Sequence, residues 1–193
     1  MLGGRLSRQR EQTGPARVTW MVIVVPVLHD GVIILNGYAD ADAAAHAAGE
    51  DDETARRFGW WPEKTTEAGA LNAFANWARN WETGGPERTF AARDAVTGRL
   101  VGGCELRVQP DGSGNVSYWT ASSERRHGYA TRALALLLQY AQSIGVTRLE
   151  SHVAVDNVGS RRVSEKNGFR SVGTFTGEGA IAMIRYQADL GTV

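Results

Sequence analysis

Apolar positions along this chain change period several times, and each change marks an element. Val22 to Leu28 and Val32 to Leu35 are apolar runs on either side of His29-Asp30-Gly31, which reads as two strands around a turn. From Tyr38 the spacing becomes helical: Asp40 and Asp42 precede an alanine run, with Asp40 as the expected N-cap, and a short helix covers Glu53 to Phe58. Trp60-Trp61-Pro62 breaks the pattern. Thr65 or Thr66 starts a third helix whose stripe is Leu71, Phe74, Trp77, Ala78 and Trp81, and Gly84-Gly85-Pro86 ends it. Strand patterns then take over at Thr89 to Arg93, Leu100 to Val108 and Val116 to Ala121, separated by Thr97-Gly98 and by the turn from Pro110 to Asn115. A long apolar-striped helix from Tyr129 to Ile144 follows, then a strand from Arg148 to Val155. Next come a helix opened by Asn157 and stopped by Asn167-Gly168, and two final strands that begin at Phe169. An antiparallel meander followed by helix, strand, helix and two strands predicts an α+β fold around a mixed, mostly antiparallel sheet flanked by helices, in a single domain.

Composition narrows the picture modestly. The chain has 193 residues, enough to bury a full core in one domain. Its 21 basic and 21 acidic residues cancel, which argues against a nucleic-acid binder dependent on a basic surface. The single cysteine, Cys104, excludes an intrachain disulfide and has no partner for a zinc site; it reads as a small buried thiol, and no metal is expected.

Residues 1–20 carry Arg5, Arg8, Arg10 and Arg17 among Gly, Ser, Gln and Pro, and read as a disordered arm ahead of a domain spanning 21–193. The apolar run that follows is interrupted by Pro26, lacks a small-x-small cleavage site and falls short of the ~20 residues that span a bilayer. The expectation is a cytoplasmic protein with no membrane partner. Met21 is an alternative start to Met1.

The chemistry concentrates at Arg125-Arg126-His127-Gly128-Tyr129-Ala130, which opens the long helix. A helix's first amides have no internal partner and sit at the positive end of its dipole, so such a junction suits a phosphate. Gly128 lets the backbone approach a ligand, and Ala130 leaves room beside it. A glycine before a helix is also ordinary punctuation. About thirty residues further on, the segment from Asp156 to Phe169 supplies Asn157, Ser160, Gly168 and Phe169.

These two segments together resemble the GNAT superfamily of acyl-CoA-dependent N-acetyltransferases: the first is similar to its pyrophosphate motif, the second to its Asn-x-x-[Ala/Ser] and Gly-Phe segment. The run from Asn115 to Ala141 resembles the RimJ/RimL-type branch, whose members acetylate N-terminal amines of proteins or smaller amines. The resemblance implies acetyl-CoA as co-substrate, held by Arg125, Arg126, His127, Gly128, Tyr129, Ala130 and Thr131 at the phosphates. It implies strand contacts from Trp119, Thr120 and Ala121 to the pantetheine arm, and a contact from Asn157 on the arm's other side. Asn157 also reads as a helix cap, and the two roles are compatible. Arg161 and Arg162 read as a solvated pair, against a role in assisting the cofactor's phosphates.

Where many members carry a tyrosine seven residues after this Asn, the chain has Ser164. Ser160 matches a serine that the RimJ/RimL-type branch often shows three residues after its Asn, and this resemblance implies it as the partner of the departing thiolate, against its plain reading as a first-turn hydroxyl. Glu105, on a central strand, is the candidate base that accepts the amine's proton, against its reading as a solvent-facing strand residue. The acceptor is a protein N-terminus or an amine-bearing small molecule. An α-amine near pKa 8 is appreciably neutral at pH 7.5, whereas a lysine near 10.4 costs about 4 kcal/mol to deprotonate. Trp60 and Trp61 either frame the acceptor or pack in the core, and Asp42 or Glu63 could attract a cationic amine. A homodimer through the C-terminal strands or the sheet edge is an analogy to the family. Two other readings remain: a non-catalytic acyl-CoA-binding module, and a P-loop nucleotide binder, which the absence of G-x-x-x-x-G-K-[ST] disfavours.

Overall fold

The computed structural model describes residues 24–191, so the N-terminal arm and the choice between Met1 and Met21 lie outside the described residues. The elements in chain order are β1 (Leu28–His29), β2 (Ile33–Asn36), α1 (Ala43–Gly49), α2 (Asp52–Phe58), α3 (Glu67–Thr83), β3 (Glu87–Asp94), β4 (Leu100–Val108) and β5 (Ser113–Thr120). They continue with α4 (Tyr129–Ser143), β6 (Arg148–Ala154), α5 (Val158–Lys166), β7 (Arg170–Thr176) and β8 (Ala182–Asp189). One eight-stranded sheet runs β1-β2-β3-β4-β5-β6-β8-β7. Every neighbouring pair is antiparallel except β5 and β6, which are parallel because α4 crosses between them. The expected α+β fold with a mostly antiparallel sheet is what the chain adopts.

Strand alternation assigns the two faces of the sheet. Leu106 and Val116 point into the main core, where they meet Leu134 and Leu137 of α4 with Phe90, Leu149 and Tyr186. Trp119 points the other way. Its indole lies 4.7 Å from the ring of His46 on α1 and donates to the Tyr38 hydroxyl at 3.2 Å, beside Phe74 and Trp77 of α3. A side chain at Gly103 would collide with Tyr38 and with the Trp119 indole, so this face closes only over a glycine.

Most caps fall where expected: Thr66 accepts from the Gly69 amide at 3.0 Å, Gly84 ends α3 in a left-handed conformation, and Asn157 opens α5. Two local expectations are corrected. Asp40 makes no cap bond. It begins a short 3-10 turn, and α1 starts at Ala43. The carboxylate that matters there is Asp42, which accepts from the Ala39 amide at 2.8 Å and from both terminal nitrogens of Arg93 at 2.6 and 2.7 Å. Within the described part of the expected strand from Val22 to Leu28, only Leu28 is strand, in β1 (Leu28–His29), and Pro26 has no amide to give a ladder; Val22 and Ile23 lie outside the described residues. Cys104 is buried, and burial raises its thiol pKa far above the ordinary range, with the Glu105 charge adding to the effect.

Candidate active site

β5 and β6 stay paired only from Ser113–Asn115 against Arg148–Glu150. Beyond Asn115 and Glu150 the strands part. On its far edge β5 stays bonded to β4, and the Ala121 amide donates to the Val101 carbonyl at 2.9 Å. Antiparallel alternation therefore turns the backbone groups of Tyr118 and Thr120 toward the split, an open strand edge that can accept an extended ligand.

Two cavities open along the split, of about 730 and 640 Å³. They share one wall, made by Tyr118, Asn157 and Ser160 with Glu53, Arg57 and Phe58 of α2. The smaller cavity extends along Trp119 and Thr120 to Arg125, Arg126 and the stretch from Gly128 to Thr131. The larger reaches His152 on β6 and Met183 on β8 instead.

The turn at the head of α4 is built to present amides. Arg126 has φ +68° and Gly128 φ +84°, two left-handed residues that redirect successive N–H groups. A left-handed arginine costs roughly 1–2 kcal/mol, so its presence points to a working backbone geometry. The first helical bond at this end runs from the Arg132 amide to the Gly128 carbonyl at 3.2 Å. Among the described residues, no hydrogen bond engages the amides from Arg126 to Thr131. A Cβ on Gly128 would meet nothing within 4 Å, so the turn faces open space. These donors, at a helix's positive end, suit a diphosphate.

On the opposite wall, the Asn157 side-chain oxygen caps α5 by accepting from the Ser160 amide at 3.1 Å. Its amide nitrogen is left for the cavities that it lines. The Tyr118 hydroxyl lies 2.8 Å from Ser160 Oγ, 3.0 Å from the Ser160 carbonyl and 3.3 Å from Ser164 Oγ. Burial raises the phenol's pKa, against the two serine hydrogen bonds, so Tyr118 stays protonated at neutral pH. When its proton lies toward Ser160 Oγ, the serine's own proton is free to point into the shared wall. Tyr118 carries no functional signal in the sequence, because no spacing rule links it to a serine 42 positions away.

The sequence model of the Acetyltransferase (GNAT) domain matches residues 33–170. This chain belongs to the GNAT acetyltransferase family. The fold agrees with solved structures at low sequence identity. An acetyltransferase of the GNAT family from Bacillus anthracis has TM-score 0.72 and 18% identity, over 86% of this chain and 99% of that one. Mycobacterium smegmatis RimJ, solved with CoA-disulfide, has TM-score 0.69 and 22% identity, over 86% of each chain. Ribosomal-protein-S5-alanine acetyltransferase from Vibrio fischeri has TM-score 0.69 and 14% identity, over 85% of this chain and 96% of that one. No curated protein matches the chain. Among the described residues, no helix is long and apolar enough to cross a membrane, and no group of three or more His, Cys, Asp or Glu could hold a metal ion.

Several expected residues of this GNAT acetyltransferase stand elsewhere than the sequence suggested. Ala121 is buried, has its amide bonded to β4 and does not line the smaller cavity. His127 also lies off that cavity, with Nδ1 3.1 Å from the Glu124 carbonyl oxygen. The Tyr129 hydroxyl donates to Asp94 at 2.9 Å, so Tyr129 offers the cavity its backbone rather than its phenol tip. Arg125 does line the cavity, but its guanidinium is held by Asp51 at 2.8 Å, Thr54 at 2.9 Å and Glu53 at 3.0 Å. Burial pushes the Asp51 carboxyl up, but the bonds from Arg125 and Thr54 outweigh it and hold it at about 2. With Arg57 paired to Asp156 at 2.5 Å, helix α2 is fastened on both sides of the shared wall.

Glu105 lines neither cavity and accepts from the Thr89 hydroxyl at 3.1 Å. Burial and the Glu87 charge raise its carboxyl pKa, against the bonds from Thr89 and Arg107. Asp42, bound twice by Arg93, is not free to attract an amine; burial raises its carboxyl, and Arg93 more than reverses this. Trp60 and Trp61 neither fill the core nor line either of these two cavities. Both are about two-fifths exposed, Trp60 stacked on Phe58 and Trp61 beneath the Arg56 guanidinium.

Proposed function

We propose that this GNAT acetyltransferase moves an acetyl group from acetyl-CoA to a primary amine by direct attack in a ternary complex, with a protein N-terminal α-amine as the acceptor. The observation that carries this reading is the pair of cavities meeting at one wall, only one of which reaches the amide-rich turn before α4. Two substrates can therefore be held at once without competing for the same space.

The free amides from Arg126 to Thr131 hold the diphosphate, with Gly128 keeping the approach clear. The outward backbone edge at Tyr118 and Thr120, opposite the Asn157 side-chain amide, lines the pantetheine path, and a main-chain N–H there polarises the thioester carbonyl. With the Tyr118 proton turned to Ser160 Oγ instead of to the Ser160 carbonyl, the serine proton is free to hydrogen-bond the departing thiolate. A serine hydroxyl is too weak an acid for full transfer. A thiol of pKa about 8.5 asks for little more than solvation by a donor.

The α-amine acceptor is favoured by energetics: its deprotonation at pH 7.5 costs well under the ~4 kcal/mol that a lysine requires. Similarity in fold to a ribosomal-protein acetyltransferase agrees with it. The test is thiol release from acetyl-CoA with N-terminal peptides, N-blocked lysine peptides and small amines as acceptors. N-terminal peptides should turn over fastest. A preference for small amines overturns the acceptor, and binding of acetyl-CoA without turnover of any amine overturns the enzyme.

A further inference from the structure

The larger cavity contains a proton acceptor that the reaction above leaves unassigned. Asn115 and Glu150 form the last register pair before β5 and β6 part, and two residues further along each strand stand Ser117 and His152. Positions two apart on a strand share a face, so His152 stands across the split from Ser117 and both line the larger cavity. Ser117 is in turn the register partner of Glu105, which places Glu105 one strand further away from the opening.

Two contacts orient the partly exposed His152 ring. Its Nε2 lies 3.5 Å from Glu150 Oε2, and its ring meets Phe175 of β7 edge-on at 4.9 Å between centroids. Glu150 is itself positioned: Gln187 Nε2 donates to Oε1 at 2.7 Å, and Arg185 Nε stands 3.9 Å from Oε2. The negative charge of a carboxylate beside Nε2 favours the neutral ring's proton on that nitrogen, which leaves Nδ1 as an acceptor. The other charged groups around the cavity come from α2 (Glu53, Arg56 and Arg57) and from Asp156 after β6. Of these, Arg57 is already paired with both Asp156 and Glu53, and Arg56 with Asp52.

We propose that His152, oriented by Glu150, is the base that takes the proton from the attacking amine. This rests on the acetyl-transfer reading given above. The amine nitrogen forms its bond to the thioester carbonyl carbon and the C–S bond breaks. The proton shed by nitrogen passes to His152 Nδ1 and from there to water. The electron pair leaves on sulfur, where Ser160 stabilises it until solvent returns a proton, giving one acetamide and one free thiol. Glu150 is a positioning residue that acts through His152.

The experiment measures kcat and KM of the full chain from pH 6 to 9.5 with two N-terminal peptides of different amine basicity, and acetyl-CoA affinity by calorimetry. The limb belonging to His152 is the one that stays in place when the acceptor is exchanged. His152→Gln should lower kcat/KM at pH 7 by about 10²-fold or more, with a deficit that narrows as pH rises, and leave acetyl-CoA affinity unchanged. Added imidazole should restore activity to His152→Ala. Glu150→Gln should lower kcat less than His152→Gln does and leave the peptide KM and acetyl-CoA affinity unchanged, because the ring keeps its acceptor nitrogen but loses the carboxylate that orients it. Wild-type kcat/KM in His152→Gln, or a loss confined to KM without imidazole rescue, overturns the assignment while the acetyl-transfer reading stands. A wild-type chain that acetylates no amine overturns both.

Discussion

Replacing Gly128 by glutamate sets the backbone turn against the anion it is inferred to hold. Gly128 sits at φ +84°, where an L side chain costs roughly 1–2 kcal/mol, and a Cβ there meets nothing within 4 Å. The substitution therefore strains the turn without pushing into the core, and the protein should remain folded with a small drop in urea midpoint. The carboxylate would enter the space proposed to hold the diphosphate. Two like charges about 4 Å apart repel by roughly 4 kcal/mol at the effective dielectric of a protein surface. At about 1.4 kcal/mol per tenfold, acetyl-CoA binding should weaken by around 10³ at low salt, and by less as salt screens the charge. Gly128→Ala carries the same backbone strain without the charge, so it should lower the urea midpoint to a similar degree and leave acetyl-CoA affinity within a few-fold of the wild type. Calorimetric titration with acetyl-CoA beside urea unfolding separates the two effects. A folded Gly128→Glu protein that binds acetyl-CoA within threefold of the wild type would refute the placement of the diphosphate at this turn.

Ser160→Ala should lower kcat by about tenfold or more with little change in acetyl-CoA affinity, and Tyr118→Phe should lower it about fivefold, since the phenol acts through the serine. Thiol release reads both, and wild-type rates in either remove that hydroxyl from the mechanism. Asp42→Ala strands the Arg93 guanidinium, whose side chain is 15% exposed, and should cost about 3–5 kcal/mol in urea unfolding; a cost under 1 would mean that Arg93 finds water instead. The folded Asp51 carboxyl, held at about 2 against an ordinary 3.8, adds stability that is complete above about pH 4 and lost as pH falls toward 2. The side chain is 35% exposed, so solvent screening cuts this to about 1 kcal/mol. The stability difference between wild type and Asp51→Asn should therefore shrink on acidification, and a pH-independent difference would contradict the Arg125 pairing.

Much of the site was written locally. Gly128 ahead of an apolar-striped helix, and Asn157 three residues before Ser160, are patterns within one turn of chain, and backbone geometry alone gives them meaning. The helix and strand periods gave the order of elements for the same reason: each is the repeat of a single element against one core. Asp40 and Asp42 mark the limit, since either can cap a helix by local rules, and Arg93 on β3, reached only through the fold, took Asp42.

What tertiary structure alone decided is which side chains meet across strands. Tyr118 reaches Ser160 only because β5 parts from β6 after Asn115, which lets α5 lie against the opened edge. Glu105 and His152 carry equally suitable groups and equally plain strand patterns. Sheet register sets His152 on the split and Glu105 one strand behind it, and register is a property of paired strands that no single stretch of sequence contains.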